Sequence, residues 1–180
     1  ASVKPVIVLK AGRSNDSPDA DAAFDAALRR AGAVRVRYFV QVFGAIKVLG
    51  YARRPKGNRL AVLSNGYGPP QLALDVIGSI VPAARADLSS VSRRVLGKLL
   101  EPGAVAANPV ITHQPLNPLL TRELLNCLLD DPAVDGVLVL ISPDVRADLE
   151  PVADELAAIA PKARKPVITC FLGDASVRGL

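Results

Sequence analysis

The chain has 180 residues, of which 50% are hydrophobic and 22% are charged, and its formal net charge is +5. This length suits one compact domain, or one domain with a fragment of another. No apolar run approaches the roughly 18 residues of a membrane span, and two distant cysteines with one histidine exclude disulfide scaffolds, zinc ribbons and histidine-rich metal sites. We therefore expect a cytoplasmic protein with no metal centre and no membrane partner, whose thiols, Cys127 and Cys170, are buried.

Short β-rich apolar runs alternate with segments of helical periodicity, which is typical of α/β proteins. The predicted strands are residues 4–9, 34–37, 60–63, 108–111, 137–141 and 166–172. The predicted helices are residues 19–30 with Asp19 or Asp21 as cap and Gly32 as stop, 39–53, 69–80, 90–100 with Ser89 or Ser90 as cap, 118–129 and 149–159. We expect a single doubly wound sheet with helices on both faces and a core continuous from about residue 20 to residue 172.

The basic excess is local, because residues 1–60 carry twelve lysines and arginines against four acids, whereas the rest of the chain carries ten against thirteen. Such a region could attract the phosphates of nucleic acid or of an anionic cofactor. With only seven aromatic residues and no helix-turn-helix, RRM or KH signature, we expect no nucleic-acid partner. The alternative is a solvated face or a contact with a neighbouring domain. The basic residues concerned are Arg29, Arg30, Arg35, Arg37, Arg53, Arg54, Lys56 and Arg59.

Ligands of open parallel sheets bind beyond the carboxyl ends of the strands, where loops lead into helices. The turn from Ser64 to Gly68 is the most informative such loop, because Gly66 and Gly68 permit positive φ and close backbone approach. The following helix N-terminus would suit an anion such as phosphate. The spacing matches neither a Walker loop nor a dinucleotide fingerprint, and a turn that only packs helix on strand is an open alternative. The other strand-end loops are Gly12-Arg13-Ser14, Ser142-Pro143-Asp144 and Gly173-Asp174.

The catalytic inventory is thin. Without His113, no Ser-His-Asp or Cys-His set can be assembled, and His113 lies in a polar stretch after a predicted strand, where a surface or capping role is the favoured interpretation. Asp130 and Asp131 precede Pro132 at a helix end, which favours turn chemistry over a catalytic carboxylate pair.

Five segments together carry a resemblance to a known family: residues 4–14, 21–32, 57–69, 107–110 and 165–167. They include Lys-Pro-Val-Ile-Val-Leu-Lys-Ala-Gly-Arg-Ser, Gly-Asn-Arg-Leu-Ala-Val-Leu-Ser-Asn-Gly-Tyr-Gly-Pro and Ala-Asn-Pro-Val. In their order and spacing they resemble NDP-forming acyl-CoA synthetases, relatives of succinyl-CoA ligase, downstream of the CoA-binding Rossmann domain. The resemblance implies a flavodoxin-like fold, in which residues 1–14 are a terminal strand and loop shared with a preceding domain and residues 15–180 form the flavodoxin-like domain.

The chain departs from the pattern of this family at three places. Ligases of the family pass phosphate through a histidine on a loop that would follow Gly12-Arg13-Ser14, but residues 14–19 contain no histidine. Ile111 stands where the family has the aspartate of Asn-Pro-Val-Asp, and Tyr67 replaces a common glycine. The departures indicate a degenerate copy without the phosphorelay step.

Degenerate regions of this kind occur in fusions with a GNAT acetyltransferase domain, and this chain resembles such a region. We expect a piece of a longer protein, since the chain begins at Ala1 and contains no methionine, serving acyl-CoA binding, regulation or assembly without catalysing a reaction alone. The implied cofactor is coenzyme A or acyl-CoA, with nucleotide bound only by other domains of the parent chain. Those domains are the expected partners, and a homo-oligomer stays open. The candidate cofactor-binding residues are Gly12, Arg13, Ser14, Ser64, Asn65, Gly66 and Gly68, with no catalytic residue among them.

Two rival hypotheses remain. The first is a fragment of an active NDP-forming acyl-CoA ligase, of the acetyl-CoA synthetase or succinyl-CoA ligase type, whose histidine loop is shortened only in this piece. The second is a stand-alone binding module of flavodoxin or receiver type. The chain shows neither the aromatic, hydroxyl-rich loops of flavodoxins nor the aspartate cluster and lysine of receiver domains.

Overall fold

A computed structural model describes residues 4–12, 17–51, 53–79 and 83–173, and the chain divides into two compact units, Ala1–Ala52 and Arg53–Leu180. The sequence analysis places a domain boundary between residues 14 and 15. That position lies outside the described residues, so this boundary stays a prediction.

The first unit contains a two-stranded parallel sheet and two helices. Its elements are β1 (Ile7–Leu9), α1 (Pro18–Arg30), β2 (Val34–Val36) and α2 (Phe39–Tyr51). The Ser17 hydroxyl caps α1 by accepting a hydrogen bond from the Ala20 N–H, with Pro18 at the first helical position. The predicted caps Asp19 and Asp21 are wrong, because both lie within the first helical turn.

A buried guanidinium joins α1 to β2. Arg35 donates hydrogen bonds of 2.6 Å to the carboxylates of both Asp21 and Asp25, and its side chain is only 10% exposed. The guanidinium also lies 5.2 Å from the ring centroid of Phe24. Arg35 therefore belongs to the internal structure of this unit, and not to a basic surface that is free to bind phosphate.

The second unit is an open, wholly parallel sheet. Its elements are β3 (Arg59–Ser64), α3 (Gly68–Ser79), β4 (Ala84–Arg85), α4 (Ser90–Leu99), β5 (Val110–Ile111), α5 (Pro118–Asp130), β6 (Gly136–Ile141), α6 (Glu150–Ile159) and β7 (Val167–Phe171). The strand order is β4-β3-β6-β7, with β5 also paired to β3. If β4 and β5 count as one position, this order follows the first four strands of the flavodoxin order 2-1-3-4-5. The α/β class with a mainly parallel sheet is thus confirmed.

Helices cover both faces of this sheet. On one face, Val62 and Leu140 pack with Ile77 of α3. On the other face, Ala61, Leu63, Val137, Val139 and Ile141 join the larger core cluster with buried residues of α4, α5 and α6. Successive residues of β3 and β6 are buried on opposite faces, which explains why both strands read as continuous apolar runs.

Two expectations about the architecture are wrong. The described strands form two sheets instead of one, and both buried core clusters lie in the second unit, so the core is not continuous from residue 20. The sequence analysis also missed β4, because two residues give too short a run for periodicity to detect. The remaining predicted elements are present, and their ends differ from the predicted ones by at most three residues.

The amide of Asn108 fills the gap between β4 and β5 along one edge of β3. Its Oδ1 accepts from the Val62 N–H at 2.9 Å, and its Nδ2 donates to the carbonyls of Leu60 and Ala86, each at 2.9 Å. Since β4 pairs with residues 59 and 60 and β5 with residues 63 and 64, this side chain continues the hydrogen bonding of the edge between them.

An ion pair connects the beginnings of β3 and β6. The Asp135 carboxylate accepts from the backbone N–H and Nε of Arg59 through Oδ2 and from Nη2 through Oδ1, at 2.8 to 3.0 Å. In return, the Asp135 N–H donates to the Arg59 carbonyl at 2.8 Å. These hydrogen bonds hold the pKa of Asp135 at about 2, below its usual 3.8.

None of the helices within the described ranges is both long and apolar enough to cross a membrane.

We expect Asn108→Ala to destabilise the protein by about 3 kcal/mol, because it leaves the buried Val62 N–H and the Ala86 carbonyl without this partner, while the Leu60 carbonyl keeps a hydrogen bond from the Ala86 N–H. Urea denaturation measures this loss. The control is Asn126→Ala on α5, since Asn126 is exposed, and its effect should stay within about 0.5 kcal/mol. Equal losses in the two variants would contradict the role assigned to Asn108.

The depressed pKa of Asp135 makes stability depend on pH at the acid end. The ionised carboxylate stabilises the fold above its unfolded pKa, and this contribution is lost as pH falls from about 3.8 towards about 2. We expect Asp135→Asn to be less stable than the wild type at pH 6, with the difference shrinking towards pH 2 in urea denaturation. The exposed Asp154→Asn serves as control. Parallel stability curves for the wild type and Asp135→Asn would contradict the prediction.

Candidate functional site

The glycine turn follows β3 at the carboxyl end of the sheet, as the sequence predicts. Ser64 is the last residue of β3, and α3 begins at Gly68. The Ser64 side chain is buried, and its Oγ accepts from the Gly66 N–H at 3.1 Å. One of the N–H groups that could have faced a ligand is therefore used inside the turn.

The side chain of Asn65 joins this turn to the loop after β6. Its Oδ1 accepts from the Ser142 N–H at 2.7 Å, and its Nδ2 donates to the Ser142 carbonyl at 2.8 Å. Strands β3 and β6 flank the topological switch point of a flavodoxin-like sheet, which is where ligands of such sheets usually bind. Here the two strand ends are joined directly by hydrogen bonds across that point.

Neither Gly66 nor Gly68 adopts positive φ, which corrects the reason given for them from the sequence. Gly66 instead lies in close contact with the loop after β6, because an added Cβ would lie 3.2 Å from the Ser142 Oγ. An added Cβ on Gly68 would meet nothing within 4 Å.

The N-terminus of α3 offers few hydrogen-bond donors. The helix begins Gly68-Pro69-Pro70, and proline has no backbone N–H. Two of the first three helical positions therefore cannot donate to an anion, although the N-terminal turn is where a helix normally presents free N–H groups. Tyr67, the residue before the helix, is 67% exposed.

The remaining predicted binding residues belong to the first unit. Gly12 follows β1 and has a φ of +78°, a value that favours glycine. Arg13 and Ser14 lie outside the described residues. The structure thus brings together Ser64, Asn65, Gly66 and Gly68 in one turn, and the assignment of all seven residues to cofactor binding stays a prediction.

A polar network surrounds the carboxylate of Glu101, beyond the end of β5. Glu101 accepts from the His113 N–H at 2.7 Å, from the Thr112 hydroxyl at 3.0 Å and from the Gln114 side-chain amide at 3.2 Å. Burial raises the pKa of Glu101, but these hydrogen bonds and one from its own N–H together lower the pKa by more. The pKa of Glu101 therefore lies below its usual 4.5. Glu101 is thus an ionised carboxylate that orders the strand-end loop.

His113 contributes its backbone to this network. Its carbonyl accepts from Arg146 Nη2 at 3.0 Å, and Arg146 is held by two hydrogen bonds of 2.9 Å to the carboxylate of Asp144. The imidazole of His113 makes no hydrogen bond to another described residue. This arrangement agrees with the surface role predicted for His113 and gives it no general-base partner.

A cleft of about 540 Å³ lies beside the glycine turn, between α3 and the loop 101–109. Its lining includes Tyr67 and Gln71 from the glycine turn and α3, Val105 and Ile111, and the polar residues Glu101 and His113. The sequence analysis missed this cleft. Its wall is a loop between α4 and β5 without periodicity, whose Ala-Asn-Pro-Val segment suggests the family but no cleft, and the pairing of β3 with β5 brings that loop to the glycine turn.

Other candidate groups have structural roles or lie apart. Asp131 is buried and accepts from the N–H groups of Ser89 and Ala133, which agrees with the turn role predicted for it. Cys127 is half-buried, whereas Cys170 is exposed on β7, which contradicts the expected burial of both thiols. Because β7 pairs only with β6 among the described strands, it lies at an edge of the sheet. Within the described residues, no cluster of three or more His, Cys, Asp or Glu side chains could hold a metal ion.

The second unit belongs to the class of open, parallel α/β sheets, with a glycine turn after β3. Comparison with known proteins shows which members of this class the chain resembles. No family model matches the chain. It is 25% identical over 181 residues to the ADP-forming 4-hydroxybutyrate–CoA ligase of Nitrosopumilus maritimus, covering 94% of this chain and 26% of that protein. It is 29% identical over 187 residues to ADP-forming acetate–CoA ligase I of Archaeoglobus fulgidus, covering 97% and 26%. With the alpha subunit of ADP-forming acetate–CoA ligase II of Pyrococcus furiosus, the identity is 26%, covering 94% and 40%.

Solved structures share the fold of the chain. PH0766 from Pyrococcus horikoshii superposes with a TM-score of 0.81 at 23% identity, covering 97% of this chain and 39% of that one. The dinucleotide-forming acetyl-coenzyme A synthetase 1 of Ca. Korarchaeum cryptofilum, in complex with phosphate and ADP, superposes with a TM-score of 0.82 at 24% identity, covering 97% and 40%.

The comparisons support the resemblance to NDP-forming acyl-CoA synthetases, since the three curated relatives are ADP-forming acyl-CoA ligases matched over nearly the whole chain. The chain spans about a quarter of the length of the first two of them.

We expect Asn65→Ala to loosen the junction between β3 and β6, because it removes both side-chain hydrogen bonds to the Ser142 backbone. Hydrogen exchange at the Ser142 amide should accelerate, and the free energy of unfolding should fall by about 1–2 kcal/mol. The exposed Asn126→Ala on α5 should change neither quantity. An unchanged exchange rate at Ser142 in Asn65→Ala would contradict this account of the junction.

Proposed function

We propose that the chain is an acyl-CoA synthetase-like region of a larger acetyltransferase, which serves acyl-CoA binding, regulation or assembly in the cytoplasm without phosphohistidine catalysis. Coenzyme A or an acyl-CoA is its ligand, and nucleotide is bound only by other domains of the parent chain. The region acts through contacts with those domains.

The observation that carries this proposal is the small number of free hydrogen-bond donors at the glycine turn. The Gly66 N–H is held by Ser64, the Asn65 amide is held by Ser142, and Pro69 and Pro70 have no N–H. Phosphoryl transfer depends on several donors that converge on the transferring group. A turn with so few free donors is a poor match to a phosphoryl group, and Tyr67 beside it is 67% exposed.

The residue inventory supports the same proposal. A phosphohistidine relay needs an imidazole nucleophile, and the only histidine of the chain is His113. His113 uses its backbone N–H and carbonyl to hold the Glu101 network, and its ring has no carboxylate partner among the described residues. An active ligase would need both a phosphate cradle at the turn and a histidine that enters it.

Phosphorylation measurements test the proposal. We expect no acid-labile phosphate on the chain after incubation with ATP, CoA and Mg²⁺, or with acetyl-CoA, ADP and phosphate, and no acyl-CoA formation from acetate. The ADP-forming acetate–CoA ligase I of Archaeoglobus fulgidus serves as positive control. Any phosphohistidine in this chain must lie at residue 113, the position of its one histidine. Acid-labile phosphate that persists in His113→Gln is therefore not phosphohistidine of this chain.

The test is completed with the full-length parent protein. Acid-labile phosphate there, on a histidine of a longer loop after residue 14, would show that the parent is an active ligase and would overturn the proposal. Acetyl transfer to protein lysines by the same parent, without such phosphate, is the expected result.

A further inference from the structure

We infer that the cleft beside the glycine turn binds the uncharged acyl-thioester end of an acyl-CoA, and not a free carboxylic acid or a phosphate. This inference rests on the proposed function and names the part of the ligand that the second unit takes. It follows from the charge, the hydrogen-bond capacity and the apolar lining of the cleft.

The charges of the cleft exclude anionic ligands. Among the described residues, no lysine or arginine lines it, and its one charged lining residue is Glu101. Arg146 donates from Nη2 to the His113 carbonyl, but it does not line the cleft, and its Nε and Nη2 are paired with the Asp144 carboxylate. A carboxylate or phosphate in the cleft would be desolvated near a like charge with no cation to offset the cost.

The hydrogen-bonding state of Glu101 argues against a cationic ligand. Its two oxygens accept from the His113 N–H, the Thr112 hydroxyl and the Gln114 amide. A bound ammonium or guanidinium would have to compete with these internal donors for the same lone pairs. A neutral ligand is therefore the best match to the cleft.

The polar groups left over suit a thioester and the amides of a pantetheine arm. The Tyr67 hydroxyl, the Gln71 amide and the His113 ring line the cleft and make no hydrogen bond to other described residues. The apolar side chains of Val105 and Ile111 line the same cleft. A volume of about 540 Å³ lies within the roughly 300–1,000 Å³ typical of small-molecule sites, which are mostly apolar with a few polar groups. Such a cleft is much larger than acetate needs.

Val105 provides the sharpest test, because it is 73% exposed and lines the cleft, so that its replacement should not disturb the core. Val105→Asp adds a second negative charge and removes apolar contact. The matched control is Val91→Asp on α4, where the valine is 65% exposed and does not line the cleft. Thermal unfolding first verifies that both variants are folded.

Amide chemical-shift titrations of the 180-residue chain use five probes: acetyl-CoA, the neutral thioester S-butyryl-N-acetylcysteamine, CoA, sodium acetate and inorganic phosphate. We expect both thioesters to shift the amides of Tyr67, Val105 and Ile111, and acetate and phosphate to leave them unchanged. Val105→Asp should weaken the binding of S-butyryl-N-acetylcysteamine at least tenfold, whereas Val91→Asp should not change it.

Three results would overturn the inference: saturation of the cleft by acetate or phosphate, no thioester binding in the millimolar range, or equal thioester affinity in Val105→Asp and the wild type. If Val105→Asp binds acetyl-CoA with unchanged affinity, the thioester does not bind in this cleft. The proposed function would still stand, because the region would still bind an acyl-CoA. The proposed function fails separately, through acid-labile phosphate on the parent chain.

Discussion

The second unit depends on the hydrogen-bonded edge of β3. This strand is buried on both faces and pairs with β6 along one edge over residues 60–64, but its other edge is covered only by the two short strands β4 and β5. Between them, an unpaired N–H or carbonyl in the interior would cost about 1–3 kcal/mol. The amide of Asn108 accepts from the Val62 N–H, and it donates to the carbonyls of Leu60 and Ala86. The Leu60 carbonyl also accepts from the Ala86 N–H, so the Val62 N–H is the group of β3 that depends on Asn108.

The same use of polar groups within the fold recurs at the carboxyl end of the sheet. The Asn65 side chain donates to and accepts from the Ser142 backbone, and the Ser64 hydroxyl accepts from the Gly66 N–H. The Glu101 carboxylate accepts from the loop after β5. In a site that binds a charged ligand, such groups would stay free to bind it. Their internal use stabilises the strand-end loops and leaves an apolar cleft as the binding surface next to them.

The sequence predicts the secondary structure well where an element is long and its burial gives a clear apolar pattern. β3 and β6 are long apolar runs buried on both faces, and Ser89 and Gly32 mark helix ends through local hydrogen-bonding and φ preferences. It does not reveal the separation into two sheets, because β1 is an apolar run like the strands of the larger sheet and β2 is too short to show which strand it pairs with. Which strand pairs with which is decided by contacts between residues far apart in sequence.

The candidate site shows the same limit. The turn from Ser64 to Gly68 could be found from its glycines and its position after a strand, but the partners of its polar atoms could not. Ser142 is 77 residues away from Asn65, and only the pairing of β3 with β6 brings the two together. The basic residues gave a misleading signal for a related reason, since Arg35 and Arg59 are paired with Asp21, Asp25 and Asp135. Counting charges along a sequence measures their number, whereas binding depends on which of them remain unpaired.

Tyr67, which stands where the family commonly has glycine, and the two prolines that follow it affect ligand binding at the turn in the same direction. Prolines at the second and third positions of α3 preorganise the helix start but remove donors that a phosphate would require. An exposed tyrosine at the preceding position adds an aromatic face and a hydroxyl beside the cleft. A glycine turn adapted to a transferring phosphoryl group needs the opposite features, namely free N–H groups and open space. The local chemistry therefore favours recognition of a neutral, partly apolar group over transfer of a charged one, within a fold whose known relatives are acyl-CoA ligases.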